Sequence, residues 1–218
     1  MKIIPVDLKG DLSDAVSQAV TVLKRGGVIV YPTDTVYGLG ANACDWYAVE
    51  QVFKIKKRPF SRPLPIIARN MKWVAELAFV PPKLEKILSE IWPGPTTVIL
   101  PKKEVIPSIV TAKRKGVGIR IPDYILTDKL LGRFGYPLTA TSANISGEEA
   151  TGDIKKIIEM FHNEIWKPDL ILDAGVLPSC EPSTVLDLTT IKPKIVRVGP
   201  TKPERLWEIL NIKNQNSK

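Results

Sequence analysis

Val28-Ile29-Val30-Tyr31-Pro32-Thr33-Asp34-Thr35-Val36-Tyr37-Gly38-Leu39-Gly40 is an apolar run that breaks into hydroxyls and glycines. The stretch reads as a buried strand, Val28 to Tyr31, delivering polar groups to a loop. Upstream, Leu12, Ala15, Val16, Ala19, Val20 and Leu23 recur at three- and four-residue spacing and mark one helix face. Asp11 or Ser13 can cap that helix, and Gly26-Gly27 stop it. Downstream, the spacing predicts helices over Trp46–Ile55 (capped by Asp45), Met71–Leu77, Pro82–Ile91, Asp123–Phe134, Asp153–Phe161 and Pro203–Leu210. Strand signals fall at Leu64–Ala68, Thr96–Leu100, Val117–Ile121, Pro137–Thr141, Leu170–Asp173, Thr184–Leu188 and Ile195–Val198. This alternation predicts a single α/β domain over residues 1–210 with a mixed sheet and flanking helices. Residues 211–218 read as a polar tail.

The strand-to-loop stretch is followed by a run of positive charge. Between Gln51 and Ala75 lie Lys54, Lys56, Lys57, Arg58, Arg62, Arg69 and Lys72, with no acid among them. A cleft of one sign concentrates anions, so the run predicts a pocket for a polyanion beside a smaller polar ligand. The whole 218-residue chain carries a formal charge of +8, which favours an anionic partner.

Other classes are disfavoured. The one histidine, His162, reads as a solvated helix-end residue, so neither a multi-histidine zinc site nor a Ser-His-Asp triad is expected. Cys44 and Cys180 have no paired spacing and read as free thiols of a reducing compartment, with a disulfide between them left open. No stretch approaches the roughly 18 apolar residues of a membrane span, and the N-terminus lacks a secretory core. The expected location is the cytoplasm. No Walker-type loop and no Gly-x-Gly-x-x-Gly occurs, so a nucleotide would be held by side chains and turns from several strands.

Three further segments carry chemistry. Lys56 and Arg58, two apart and followed by Pro59, would share a side if the chain is extended there. Lysine offers a compact charge and arginine a planar fork for phosphate or carboxylate. Thr139-Ala140-Thr141-Ser142-Ala143-Asn144-Ile145-Ser146-Gly147 places four hydroxyls and a carboxamide after a short strand, where open α/β sheets bind ligands. Glu181-Pro182-Ser183-Thr184-Val185-Leu186-Asp187 repeats the theme, and Arg120 and Arg197 stand at strand ends. Each segment alone also fits an ordinary turn or a solvated strand end.

The segments Pro32 to Leu39, Lys56-x-Arg58-Pro59, Ser142-x-Asn144-x-Ser146-Gly147 and Ser183-Thr184-Val185-x-Asp187 occur in that order. In combination they resemble the YrdC family of threonylcarbamoyl-AMP synthases, over about Leu12 to Gly199. The resemblance implies formation of L-threonylcarbamoyl-AMP and pyrophosphate from L-threonine, bicarbonate or CO2, and ATP. The product would feed t6A modification at position 37 of tRNAs reading codons that begin with A, through a separate transferase. It implies a twisted mixed parallel/antiparallel α/β sheet with a large, basic concave cavity, and a central tetrad of Lys56, Arg58, Ser142 and Asn144. Thr35, Arg120, Ser142 and Ser183 would hold L-threonine, and Lys56, Arg58, Arg62, Asn144, Thr151 and Arg197 would contact ATP. No protein metal ligand is expected: Mg2+ would come bound to the ATP phosphates, since the sequence shows no dedicated acidic cluster. Longer members often carry a histidine where Ile67 stands and add a second domain that covers the ATP site. This chain resembles the short, single-domain type, with Lys102–Lys115 as the candidate closing loop.

Two alternatives belong to other classes. One is a module that grips tRNA or double-stranded RNA in the basic cavity without catalysis. Against it, the run lacks interleaved aromatics for stacking bases. The other is a carbamoyl-adenylate enzyme with a different acceptor, as in hydrogenase-maturation proteins, or an inactive regulatory relative.

Overall fold

The computed structural model describes residues 1–178 and 181–211. Its elements are β1 (Lys2–Pro5), α1 (Ser13–Lys24), β2 (Ile29–Tyr31), β3 (Gly38–Gly40), α2 (Trp46–Lys56), β4 (Ile66–Ile67), α3 (Met71–Leu77) and α4 (Pro82–Ile91). They continue with β5 (Thr96–Pro101), β6 (Gly116–Arg120), α5 (Ile125–Phe134), β7 (Leu138–Thr139), β8 (Thr141–Ser142), α6 (Ile154–His162), β9 (Leu170–Asp173), β10 (Thr184–Asp187), β11 (Lys194–Arg197) and α7 (Pro203–Ile209).

The strands form two mixed sheets rather than one. The first has the order β1-β9-β2-β3-β8, and the second β11-β10-β5-β6-β4-β7. Within the first, β1, β9 and β2 run parallel, and β3 is antiparallel to both β2 and β8. In the second, β10 is parallel to β5 and β4 to β6, while β5 and β6 are antiparallel. The chain crosses between the sheets at Ala140, which separates β7 from β8 by a single residue. Thr139 stitches that seam: its N–H donates to Ala41 O (3.0 Å), while its hydroxyl accepts from Ala41 N (3.0 Å) and donates to Leu39 O (3.0 Å).

Local chemistry explains the pieces that lead to the seam. Asp45 caps α2 by accepting from Tyr47 N and Ala48 N, and Lys57 ends it in the left-handed region at φ 50°. The expected extended Lys56–Arg58 segment is therefore not formed: Lys56 is the last helical residue and the chain reverses at Lys57. Gly38 and Gly40 make room for Tyr31 on the neighbouring strand, since a Cβ on either would lie 2.7 or 2.5 Å from its ring. Tyr31 can then lie flat and donate its hydroxyl to Thr139 O (3.0 Å). Two apolar cores flank this arrangement. One joins α1 and α5 through Val16, Ala19, Leu126 and Leu130, and the other packs Phe53, Val49, Leu88 and Phe161.

The segment Lys102–Lys115 does not stand off the body. Ile106, Val110 and Thr111 are buried, and Val110 O accepts from Leu64 N (2.8 Å). Its apolar side chains plug the fold, which disqualifies it as a free lid. Cys44 is half-buried and free, whereas Cys180 and residues 212–218 of the expected tail lie outside the described residues.

Candidate active site

Residues from both sheets converge on a cavity of about 140 Å³, lined by Thr33, Thr35, Thr141, Ser142, Ser183 and the guanidinium groups of Arg58, Arg120 and Arg197. A wider groove of about 750 Å³ adjoins it over β10, β5 and β6. The groove adds Arg114, Lys115, Gly116, Gly118 and Asp187. Arg58, Pro65, Thr97 and Arg197 line both, so the two spaces are compartments of one site with two guanidiniums at their boundary.

The inner compartment is built on the strand-to-loop stretch that follows β2. Thr33 and Thr35 hydroxyls lie 3.0 Å apart, and Thr33 also donates to Val36 O (2.7 Å) and accepts from Thr35 N (3.1 Å). Those bonds fold the loop on itself and aim Thr35 inward. Arg120, at the end of β6 and 6% exposed, donates Nη1 to Thr35 Oγ1 (2.7 Å), Nε to Gly94 O (3.0 Å) and Nη2 to Asp34. Opposite, Ser183 Oγ meets Thr97 Oγ1 at 2.8 Å. Arg197 grips Ser183 O through Nε (3.0 Å) and Nη2 (2.8 Å). Burial lowers the Arg197 pKa, and the facing Arg120 adds to it; burial and then Arg62 do the same to Arg58. Three partly desolvated guanidiniums around a small space make an attractive seat for an anion.

Lys56 is placed differently from a phosphate-facing lysine. It is 2% exposed and lines neither compartment. Its Nζ donates to Ser142 O (2.6 Å), Asn144 O (2.7 Å) and Asn144 Oδ1 (2.9 Å). Asn144 Oδ1 also accepts from Ser142 Oγ (2.6 Å), and its Nδ2 donates to Glu148 O (2.7 Å). Lys56 thus ties down the loop that presents Ser142. Burial, with Arg58 adding repulsion, pulls its pKa down to about 7.

The structure therefore brings together Thr35, Arg58, Arg120, Ser142, Ser183 and Arg197 in one cavity, with Lys56 and Asn144 directly behind Ser142. Arg62 and Thr151 line neither compartment: Arg62 is exposed and offers its carbonyl to Arg58 Nε (3.2 Å), while Thr151 accepts from Asp153 N ahead of α6 (3.0 Å). Most of the basic run is likewise engaged elsewhere. Lys54 pairs with Glu50, Lys57 with Glu164 and Arg69 with Asp128. Of the run's seven charges, only Arg58 reaches the cavity. The expected lack of aromatics beside the run also needs correcting. Phe60 lies within it and is 52% exposed, near Trp46, with which it lines a separate surface pocket.

Sequence reasoning left Asp34, Thr33, Thr97, Arg114 and Lys115 without roles. Asp34 had a signal, a carboxylate between two threonines at a strand's end. Thr97 and Arg114 had none, because nothing in their neighbours says that β5 and β6 floor a groove.

Comparison with known proteins bears on this geometry. The Sua5/YciO/YrdC family model, described as telomere recombination, matches residues 21–199. The threonylcarbamoyl-AMP synthase of Pyrococcus abyssi is 35% identical over 189 residues, covering 86% of this chain and 55% of that protein. The chain thus spans little more than half the length of this relative. The threonylcarbamoyl-AMP synthase of Coxiella burnetii is 35% identical over 181 residues, 83% of this chain and 96% of that protein. The crystal structure of P. abyssi Sua5 complexed with L-threonine superposes with a TM-score of 0.90 at 34% identity, covering 96% of this chain and 61% of that one. That of Escherichia coli YciO, an uncharacterised protein, superposes at 0.81 and 30% identity, covering 92% and 96%.

Proposed function

Because the chain belongs to the Sua5/YciO/YrdC family, we propose that it makes L-threonylcarbamoyl-AMP and pyrophosphate from L-threonine, bicarbonate or CO2, and ATP. The observation that carries this reading is the divided cavity. A small inner compartment offers hydroxyls and Arg120 to an amino acid, and a larger outer groove suits a nucleotide. Arg58 and Arg197 stand between them, where the two anionic reactants must meet.

The chemistry assigns each compartment a task. The threonine amine gives up a proton and its nitrogen bonds to the carbon of CO2, or of bicarbonate with loss of hydroxide. An oxygen of the resulting N-carboxylate attacks the α-phosphorus, and the bond to the β-phosphate oxygen breaks, releasing pyrophosphate. No covalent enzyme intermediate is needed, so rate comes from positioning and charge stabilisation. Arg58 and Arg197 offset the repulsion between carboxylate and phosphate. Ser142 lines the inner compartment; its hydroxyl donates to Asn144 Oδ1 and its carbonyl accepts from Lys56, so its Oγ faces the substrate as an acceptor.

Mg2+ fits here as a companion of the triphosphate, whose charge it would neutralise. The nearby carboxylates are engaged: Asp187 Oδ1 accepts from Thr189 N and Oγ1, and Asp34 holds Arg120. Among the described residues no group of three metal-ligating side chains gathers. The product would pass to a t6A transferase in the cytoplasm. No described helix is long and apolar enough to cross a membrane. Weak tRNA binding is a second reading, favoured by the exposed Trp46 and Phe60 beside the basic run; it requires affinity that falls steeply with salt.

The test is pyrophosphate release from ATP and Mg2+, with L-threonine or bicarbonate omitted in turn. Release that needs both, with threonylcarbamoyl-AMP identified by mass, supports the reading. Release without threonine points to another acceptor or to plain hydrolysis. No release from folded protein overturns it.

A further inference from the structure

Asp34 does not line the cavity, yet it is bonded to the residue that dominates the inner compartment. One carboxylate oxygen accepts from Arg120 Nη2, and the other accepts from Asp123 N (3.2 Å) at the start of the turn into α5. The two side chains are 14% and 7% exposed, so the pair is largely out of water. With Nε on Gly94 O, Arg120 is held on two edges by the protein, and only the Nη1 edge is left to Thr35 and the cavity.

That arrangement solves an electrostatic problem. Arg120 and Arg197 face each other across a small desolvated space, and like charges there repel. Without a counter-charge behind it, Arg120 would turn away from Arg197 and carry its Nη1 edge off Thr35. A carboxylate placed behind the guanidinium offsets the repulsion while staying out of the substrate's way. A planar fork gripped along its Nε and Nη2 edges presents its Nη1 edge in a fixed orientation.

We propose that Asp34 is the positioning residue that holds Arg120 in its threonine-binding orientation and sets the affinity of the inner compartment for the amino acid carboxylate. This rests on the synthase reading above, because it assigns the inner compartment to L-threonine. Asp34 acts through Arg120 and not on the nucleotide, so it governs one substrate only.

The test uses the full chain and its Asp34→Asn variant. Wild-type protein labelled with 15N should show a resolved Arg120 Nε–Hε signal with slow guanidinium rotation, and Asp34→Asn should lose it. L-threonine affinity by calorimetry should fall about tenfold or more. In turnover, KM for L-threonine should rise by a similar factor, with KM for ATP within about twofold and kcat little changed. A folded Asp34→Asn that keeps both the Arg120 signal and the threonine affinity overturns the inference alone. Free Arg120 rotation in the wild type overturns it without any variant. If wild-type protein binds no L-threonine, the synthase reading falls and the inference with it. A rise in KM for both substrates means general loosening and also overturns it.

Discussion

Replacing Lys56 with methionine sets two opposing effects against each other. Methionine preserves the reach of the side chain and removes the charge and all three donors. The ammonium's bonds to Ser142 O, Asn144 O and Asn144 Oδ1 span 2.6 to 2.9 Å, and each hydrogen bond from a charged group contributes about 1.5–3 kcal/mol. Against them stands the desolvation that lowers Lys56 from 10.5 to about 7. At about 1.4 kcal/mol per unit, carrying the charge at neutral pH costs on the order of 5 kcal/mol. The two are of similar size. Lys56→Met should therefore change global stability at pH 7 by no more than about 4 kcal/mol, while the untethered Ser142–Asn144 loop abolishes turnover. The pH dependence is sharper. Between about pH 7 and pH 10 the unfolded lysine holds a proton that the folded one has released, so wild-type stability rises with pH in that window. Relative to Lys56→Met, the wild type should gain roughly 2–3 kcal/mol from pH 7 to pH 9 and nothing below pH 7. Guanidinium unfolding followed by tryptophan fluorescence at several pH values measures that gap. A gap constant from pH 6 to 9 would show that the three carbonyls keep the proton on, and would refute the dominance of desolvation. Full turnover in the folded variant would refute the tethering role.

Arg197→Ala removes a boundary guanidinium and should lower the rate of pyrophosphate release about a hundredfold; unaltered rates would remove it from the site. Thr35→Val deletes the hydroxyl that meets Arg120 and should raise KM for L-threonine roughly tenfold with KM for ATP steady, as initial-rate kinetics would show. Gly40→Ala places a methyl 2.5 Å from Tyr31 and should destabilise the fold by about 1–3 kcal/mol. An unshifted thermal midpoint would mean that the Tyr31 ring has room to give.

The helices were legible wherever one face is apolar and the ends are marked. Met71–Leu77 and Pro82–Ile91 fall where the sequence spacing puts them, as does the Asp45 cap of α2. Two strands were not legible. β1 ends in a proline and is an edge, and β3 is Gly-Leu-Gly, which has no strand propensity and exists because Tyr31 needs the space. The expected Pro137–Thr141 strand is two short ones in different sheets, since Ala140 turns the chain from one to the other. Of the site, hydroxyls and arginines at strand ends were readable as a class. The direction of Lys56 was not. Its neighbours suggested an extended segment, whereas α2 runs through Lys56 and stops at the left-handed Lys57, which buries the lysine against a loop 86 residues away. Charge counting also overstated the basic run, because Glu164 and Asp128, distant in sequence, neutralise Lys57 and Arg69.

The seam at Ala140 has a consequence for how the molecule holds together. The inner compartment takes Tyr31 from one sheet, Arg197 from the other and Ser142 from the strand that follows the crossing. Until both sheets have formed and docked, nothing exists for a substrate to grip. An occupant bridging the compartment acts as a reversible cross-link between the two halves of the molecule. Its binding energy adds to the stability of the whole, by about 2.7 kcal/mol at a hundred times its dissociation constant. Each sheet's opening should then slow together when ligand is present, so hydrogen exchange would report occupancy at amides far from the cavity.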